Sequence, residues 1–188
     1  MNIRAVTTHD NPSVRELIHT VMPEFGAVGP GFALSDPEVD TMAEAYAAPR
    51  SVYLVLVEGG RLVGGGGYAP LEGAADDVAE LRKMYLYPAV RGQGHGKRLL
   101  EELVQRATAE GFAHLYLETM SGMTAARGLY ERFGFVRLDG PWGATGHDGC
   151  DVHYARTLPT SPSAAASSAP NTASDAEAAG PDDALPDT

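Results

Sequence analysis

Four stretches of the chain carry apolar residues every three or four positions, a pattern typical of helices with one buried face. The first begins with Asn11-Pro12, a helix-start signal, and the second should end before Pro49. The third and fourth stop at Gly111 and Gly134, because glycine commonly ends a helix. The pattern predicts helices over residues 11–22, 37–48, 97–110 and 124–133.

Between these stretches lie short runs rich in β-branched and aromatic residues, which favour strands. Residues 51–57 and 62–69 flank the turn 58–61 and predict a hairpin. Its second arm contains four consecutive glycines, 64–67, which let another backbone or a ligand approach closely. The order of elements predicts a mixed α/β fold, a central mixed sheet with helices on both faces. The other strands are predicted at residues 3–6, 79–87, 114–119, 135–138 and 152–158.

The composition changes after residue 158. Residues 159–188 are almost entirely Pro, Ala, Ser, Thr, Gly and acids, with Leu185 as the one large aliphatic residue. Such a segment cannot bury enough apolar surface to offset the entropy lost on ordering it. We therefore expect one domain over residues 1–158 and a disordered acidic tail over 159–188. A solubilising or spacer role suits this tail, and no motif in it indicates a partner.

The charge of the chain argues against a nucleic-acid partner. The formal net charge is −11, and the tail holds five of the 25 acidic residues and none of the 14 basic ones. The predicted domain is acidic even without the tail, whereas proteins that bind duplexes usually present a basic surface.

Two further features bear on the location of the protein. The longest uninterrupted apolar run, residues 52–57, is far shorter than the roughly 20 residues of a bilayer-spanning helix. No apolar leader follows Met1, so we expect a cytoplasmic protein with no membrane partner. Cys150 is the only cysteine, which rules out an internal disulfide and a cysteine-based zinc cluster.

A glycine-rich loop, Arg91-Gly92-Gln93-Gly94-His95-Gly96-Lys97, connects a predicted strand to a predicted helix. Free N–H groups at a helix start attract anions, above all phosphate. The loop is not a Walker loop, which would need Gly in place of Arg91 and Ser or Thr in place of Arg98. The spacing of a dinucleotide fingerprint is also absent.

Two segments carry a family resemblance. Arg91-x-x-Gly94-x-Gly96, after the strand at residues 80–88, resembles the pyrophosphate-binding motif of the GNAT superfamily of acyl-CoA-dependent N-acyltransferases. Leu129-Tyr-Glu-Arg-Phe-Gly-Phe135 resembles the last helix and following strand of that superfamily. The segments have the expected order and separation, and the resemblance covers residues 1–158. It implies a mostly antiparallel sheet in which two middle strands splay apart.

The resemblance implies acetyl-CoA as co-substrate, and we expect no metal. The loop amides of Gln93 through Lys97 would hold the pyrophosphate, and backbone groups near Met84 and Leu86 would pair with pantetheine like an added strand. The strands containing Met84 and Tyr116 are expected to separate and open a slot. The expected cofactor residues are Met84, Tyr85, Leu86, Arg91, Gly92, Gln93, Gly94, His95, Gly96 and Lys97.

Acetyl transfer to an amine needs a group that removes a proton from the ammonium. The resemblance places Glu80 at a position where members carry this base, and strand alternation predicts Arg82 and Met84 on its face. Glu80 could instead be a surface carboxylate paired with Arg82 or Lys83. Glu118, on the next strand, is the second candidate, either as base or as a residue that orients substrate. A water relay is a further alternative.

Tyr130 matches the tyrosine that protonates the departing CoA thiolate in the superfamily. A phenol with a pKa of about 10 can donate to such a thiolate. The alternative is a structural tyrosine packed on Phe133 and Phe135. Many members carry Asn seven residues before this tyrosine, where this chain has Met123. The contacts of that helix with the cofactor are therefore in doubt.

The expected acceptor residues are Arg82, Glu118, Trp142 and His147. Arg82 could bind a substrate carboxylate or neutralise Glu80. Residues 146–153 contain Cys150 and two histidines, but their spacing matches no metal-ligand pattern, and we expect a loop beside the acceptor.

These features predict direct transfer of an acetyl group from acetyl-CoA to a primary amine of a small molecule, without an acyl-enzyme. Protein lysine or N-terminal amines are the second substrate class. A non-catalytic acyl-CoA sensor and an interaction module acting through the tail are the alternatives outside enzymes. The resemblance allows a homodimer, although no residue pattern defines an interface.

Overall fold

The structure is a computed structural model that describes residues 1–29, 31–146 and 149–159. Within these residues, four α-helices and seven strands follow one another along the chain, with short 3-10 turns between some of them. The helices are α1 (Asn11–Val21), α2 (Met42–Ala45), α3 (His95–Ala109) and α4 (Thr124–Arg132). The strands are β1 (Asn2–Ala5), β2 (Val52–Glu58), β3 (Arg61–Pro70), β4 (Val78–Leu86), β5 (His114–Thr119), β6 (Val136–Leu138) and β7 (Val152–Thr157).

The strands form one sheet in the order β1-β2-β3-β4-β5-β7-β6. Every neighbouring pair is antiparallel except β4 and β5, which run parallel. This pair is in register only from Val78 opposite His114 to Glu80 opposite Tyr116. Beyond that point the two strands separate. The predicted mixed, mostly antiparallel sheet with splayed middle strands is confirmed.

Each face of the sheet is covered by helices. Leu54 and Leu56 of β2 are buried in one cluster with α3 and α4, whereas Tyr53 and Val55 are buried in a second cluster with α1 and α2. This alternation follows from the two-residue period of a strand. Burying one leucine side chain of α3, such as Leu100, contributes about 2 kcal/mol to stability. The predicted arrangement of helices on both faces is therefore present.

The second predicted helix is broken. A 3-10 turn covers Pro37–Asp40, and Thr41 then leaves helical geometry before the short helix α2. The side chain of Asn11 holds the start of the separate helix α2, since its oxygen accepts from the N–H of Ala43 at 2.9 Å and its nitrogen donates to Glu44 at 2.7 Å. Periodicity alone predicts one continuous helix, which is wrong here.

A β-bulge in β4 corrects a second prediction. Gly65 pairs with Tyr85 and Gly67 with Arg82, so Lys83 and Met84 together oppose Gly66. Lys83 has a φ of 51°, the left-handed region, and the extra residue shifts the alternation of β4 by one. Met84 consequently packs with the α3 cluster, away from Glu80 and Arg82. The predicted common face of Glu80 and Arg82 with Met84 is wrong for Met84.

The glycine run on β3 serves close packing between strands. A Cβ on Gly67 would overlap the carbonyl oxygen of Val52 and lie 2.7 Å from the ring of Tyr53. A Cβ on Gly64 would lie 2.9 Å from Leu86. The glycine run was predicted to allow close approach of another backbone or of a ligand. The structure shows the approach of neighbouring strands and side chains.

No helix in the described part of the chain is long and apolar enough to cross a bilayer. The predicted tail lies, from residue 160 onward, outside the described residues.

Candidate functional site

The splay between β4 and β5 lies beside two cavities that share strand β4. The first has a volume of about 290 Å³ and is bordered by Met84, Tyr85 and Leu86. The second has a volume of about 340 Å³ and is bordered by Glu80 and Arg82, together with the bulge residue. The bulge is what turns these two sets of side chains to different cavities within one strand.

The glycine-rich loop closes one end of the first cavity, which Arg91, Gly92 and Gly96 line. Gly94 is the N-cap of α3 with a φ of 83°, and no side chain caps the helix. The first amides of α3 therefore lack intrahelical acceptors, and the helix dipole adds positive potential there. This end of the cavity suits an anion.

Arg91 is held at the rim by three hydrogen bonds. Its Nε donates to the carbonyl of Leu86 at 2.9 Å, and its two terminal nitrogens donate to Glu24 at 2.8 and 3.1 Å. The guanidinium also lies 5.6 Å from the ring centroid of Phe25, which lines the cavity. The 3-10 turn after α1 is thus held against the loop by an arginine that could instead bind an anion.

Four of the predicted cofactor residues do not line the cavity. Gln93, Gly94 and Lys97 are exposed at its rim, where Gln93 donates to the carbonyl of Ala89 and Lys97 lies 3.4 Å from Glu101. The Nδ1 atom of His95 is buried without a hydrogen-bond partner among the described residues. The backbone amides of residues 95–97, rather than the side chains of these four residues, form the start of α3.

The opposite wall comes from α4 and the turn before it. Residues 122–126 and Leu129 line the first cavity, and Met123 is among them. The hydroxyl of Thr119 donates to the sulfur of Met123 at 3.5 Å. Sequence reasoning missed the contribution of this wall, since the family pattern suggested only that Met123 replaces an asparagine.

Tyr130 borders the first cavity and is also packed in the apolar core. It lines the first cavity and is 7% exposed. Its ring packs against Phe135 and Tyr154, with centroids 5.8 and 6.4 Å apart. Burial raises the pKa of its hydroxyl to about 12, so the phenol stays protonated at neutral pH. A buried phenol that faces a cavity can donate a proton there.

Charged side chains dominate the second cavity. Arg82 donates from Nε to Glu80 at 2.6 Å, and Glu80 is only 2% exposed. Lys83, whose side chain is 2% exposed, donates to Asp36 at 2.6 Å and also to Glu38. Two carboxylates compensate the cost of burying this ammonium. Of the two ion-pair partners predicted for Glu80, the structure shows Arg82 and not Lys83.

Sequence reasoning missed the other carboxylates of this cavity. Asp36 and Glu38 come from the 3-10 turn before α2, and Glu72 from the loop after β3. Nothing in their local sequence distinguishes them from surface acids, because β4 meets them only through the tertiary fold. Thr145 completes the lining.

Glu118 and Trp142 are not among the residues that line the second cavity, although Glu118 contacts that lining. Glu118 accepts hydrogen bonds from Tyr116 at 2.7 Å and from Thr145 at 2.9 Å. Trp142 stacks on Tyr116, with ring centroids 5.9 Å apart. The roles of Glu118 and Trp142 at the acceptor stay predictions. His147 lies outside the described residues.

The thiol of Cys150 is not suited to nucleophilic attack. Burial raises its pKa to about 12, and the carboxylates of Glu118 and Asp151 add to the effect. The thiol therefore stays protonated at neutral pH, whereas a nucleophilic cysteine needs a thiolate.

Tyr85 is a second buried phenol of the first cavity. It lines this cavity and packs against the apolar cluster that contains Val14 and Ile18 of α1. Burial raises the pKa of its phenol well above its usual value, and Cys150, Tyr130 and Asp36 raise it further. The phenol of Tyr85 therefore stays protonated at neutral pH.

Comparison with known proteins decides the family. Residues 14–135 match the Acetyltransferase (GNAT) family. The chain belongs to the GNAT family. It is thus an acetyl-transferring enzyme, and the predicted family resemblance is confirmed.

Two curated relatives illustrate the range of this GNAT protein's similarity. The uncharacterized N-acetyltransferase YjgM of Escherichia coli is 40% identical over 157 residues, which cover 83% of this chain and 94% of YjgM. The N-alpha-acetyltransferase RimI of Mycobacterium tuberculosis is 35% identical over 92 residues, covering 49% of this chain and 56% of RimI.

Solved structures support the fold of this GNAT protein. An acetyltransferase of the GNAT family from Staphylococcus aureus superposes with a TM-score of 0.75 at 19% identity, over 84% of this chain and 99% of its own. The yncA protein of Salmonella typhimurium, determined with its cofactor acetyl-CoA, gives a TM-score of 0.66 at 20% identity, over 92% of this chain and 99% of its own.

Proposed function

We propose that this GNAT protein transfers an acetyl group from acetyl-CoA directly to the primary amine of a small molecule. The observation that carries the proposal is the pair of cavities on one strand. One has an uncapped helix start and a protonated phenol, and the other has a buried carboxylate. A phosphate-bearing thioester suits the first, and an ammonium suits the second.

The residues of the first cavity fit acetyl-CoA. The amides at residues 93–97 would bind the pyrophosphate at the start of α3. Beyond Glu80 the edge of β4 that faces β5 has no sheet partner in register, so its backbone groups can pair with the amide-bearing pantetheine. The related fold of yncA, which was determined with acetyl-CoA, agrees with this assignment.

The reaction needs one proton acceptor and one proton donor. Glu80 would take the proton from the ammonium, directly or through a water, while Arg82 holds its carboxylate in place. The C–N bond would form and the C–S bond break, with Tyr130 donating its phenolic proton to the departing thiolate. The nitrogen loses its second proton as the amide forms, and this proton restores the phenol of Tyr130. Both groups act on one complex of the two substrates, so no acyl-enzyme is needed.

The first experiment is a calorimetric titration of the full chain with acetyl-CoA, CoA and NAD. Micromolar binding of acetyl-CoA and CoA, without comparable binding of NAD, is expected. Thiol release is then followed with small amines and with N-terminal and lysine peptides. Binding without any thiol release would indicate a sensor, and preference for a peptide would replace the small-molecule acceptor by a protein.

Replacing Tyr130 with phenylalanine is expected to lower kcat by about 10- to 100-fold while acetyl-CoA affinity changes little. Because the pKa of Tyr130 is raised to about 12, its protonated form persists through the ordinary assay range, and wild-type kcat should not fall through its deprotonation below pH ~11. Steady-state kinetics and calorimetry measure both quantities.

Tyr68 provides the matched control for Tyr130. It is a phenol in the same apolar cluster, and burial likewise raises its pKa to about 12, but it lines neither described cavity. Tyr68→Phe should leave kcat unchanged. Equal losses in the two variants would contradict a proton-donating role for Tyr130.

Replacing Glu24 with glutamine is expected to tighten acetyl-CoA binding by about two- to fivefold. The Glu24 carboxylate binds the Arg91 guanidinium that a phosphate would otherwise contact. Because both side chains are partly exposed, this ion pair contributes only about 0–1 kcal/mol. Calorimetric Kd values for the variant and for Glu102→Gln, which breaks an ion pair with Arg106 on α3, provide the comparison. Weaker binding would instead show that Glu24 holds Arg91 in its binding position.

A further inference from the structure

Arg82 brings to the second cavity hydrogen-bond donors that no described residue uses. Arg82 donates to Glu80 through Nε alone, and its two terminal nitrogens have no protein partner among the described residues. The side chain is 19% exposed, so this guanidinium is largely buried yet reaches the cavity. A guanidinium in this state is a site for a carboxylate.

Tyr46, which is not among the residues that line the cavity, is a second buried donor near Arg82. Its ring is 6% exposed, and its buried hydroxyl has no hydrogen-bond partner in the described structure. A Cβ on Gly67 would lie 3.0 Å from this ring, and Gly67 pairs with Arg82 across β3 and β4. The charges felt most strongly by the phenol are those of Glu38 and Arg82, which line the cavity. A buried hydroxyl without a partner costs free energy that a ligand can recover.

The guanidinium of Arg82 lies next to a carboxylate, Glu80, that can accept from an ammonium. Glu80 and Arg82 are two positions apart on one strand, so their Cα atoms lie about 7 Å apart. One side chain is a carboxylate and the other a guanidinium, and both line the same cavity. An amine and a carboxylate on one carbon atom would match this pair, with the amine toward Glu80 and the carboxylate toward Arg82.

We infer that the acceptor is an α-amino acid whose carboxylate binds Arg82 and whose side chain is neutral or basic. The inference rests on the proposed function and names its substrate class. The restriction on the side chain follows from the remaining charge of the cavity. Asp36, Glu38, Glu72 and Glu80 outnumber Arg82 and Lys83, so the second carboxylate of aspartate or glutamate is repelled.

The test compares matched acceptors with the wild-type chain and acetyl-CoA. Leucine, methionine and phenylalanine are each assayed beside the corresponding amide and decarboxylated amine, and rates are compared per unprotonated amine. The acid should exceed both analogues in kcat/KM by at least about tenfold, because a site built to bind a carboxylate rejects the analogue lacking it. Glutamate should be acetylated more slowly than any of the three neutral acids.

Variants test which residues produce the preference for the acid over the amide. Arg82→Gln should reduce the acid-to-amide ratio of kcat/KM to about twofold or less, and Tyr46→Phe should reduce it by about three- to tenfold. The ratio cancels any effect of Arg82 on Glu80, since that effect acts on both acceptors. Arg61→Gln, on the exposed start of β3, is the control for loss of a positive charge. Arg82→Lys retains the charge but not the planar fork of the guanidinium. Its acid-to-amide ratio should fall between those of the wild type and Arg82→Gln.

Three outcomes overturn the inference. Amides or decarboxylated amines acetylated as well as the acids would remove the carboxylate site while the acetyltransferase function stands. An unchanged acid-to-amide ratio in Arg82→Gln would assign the carboxylate to another group. Acetyl-CoA binding without acetylation of any amine would defeat the proposed function and the inference with it. The wild-type comparison holds even if a variant does not fold.

Discussion

Replacing Glu80 with glutamine is expected to lower kcat by about 100- to 1,000-fold, the loss typical of removing a general base. Glutamine keeps the size of the side chain and can still accept the hydrogen bond from Arg82. It cannot take a proton from the ammonium at neutral pH. The affinity for acetyl-CoA should stay within about twofold, since Glu80 lines the second cavity and not the first.

The measurement is steady-state thiol release together with calorimetric binding of acetyl-CoA. Glu118→Gln is the informative comparison, because Glu118 is the second candidate base and already accepts two hydrogen bonds. Glu58→Gln, at the exposed end of β2, is the control for a lost carboxylate. A large kcat loss in Glu118→Gln with little loss in Glu80→Gln would transfer the role to Glu118. Small losses in both would favour a water relay.

Replacing Gly67 with alanine is expected to destabilise the fold by about 2 to 4 kcal/mol, the upper part of the range for overpacking. The new methyl would overlap the Val52 carbonyl, which is backbone and cannot rotate away. It would also lie 2.7 Å from Tyr53 and 3.0 Å from Tyr46, both of which are buried. The neighbouring strand must therefore move, and its cluster with it.

Denaturant unfolding of the two proteins measures this cost. Gly140→Ala is the matched control, because no atom lies within 4 Å of its new methyl, and it should change stability by less than about 0.5 kcal/mol. Gly66→Ala should fall between the two, since its methyl meets mainly the flexible side chain of Met84. Equal stabilities of the Gly67 and Gly140 variants would show that the glycine run is not needed for strand packing.

Local patterns in the sequence were sufficient to predict most of the fold. The hairpin of β2 and β3 and the helix α3 have strong periodic signals and clear turn residues, so their bounds fall within two or three residues of the prediction. The splay between β4 and β5 came from the family resemblance instead. Nothing in the period of either strand indicates that their pairing ends at Glu80.

The acceptor side of the site could be predicted only in part. The family resemblance proposed Glu80, strand alternation placed Arg82 on its face, and the structure puts both beside the second cavity, but the bulge at Lys83 was not predicted. Its only sequence signal is a pair of adjacent charged residues opposite a run of glycines. Asp36 and Glu38 lie more than 40 residues away and reach Lys83 through the tertiary fold alone.

The bulge in β4 has a consequence for how selectivity can change. Positions 80 and 82 border the second cavity, whereas positions 84 and 86 border the first, although all four belong to one strand. Under the proposed function, substitutions at the first pair would alter the choice of amine while the wall proposed for the thioester stays intact. A single inserted residue would then make the two proposed specificities separately adjustable, by mutation in the laboratory or by divergence between relatives.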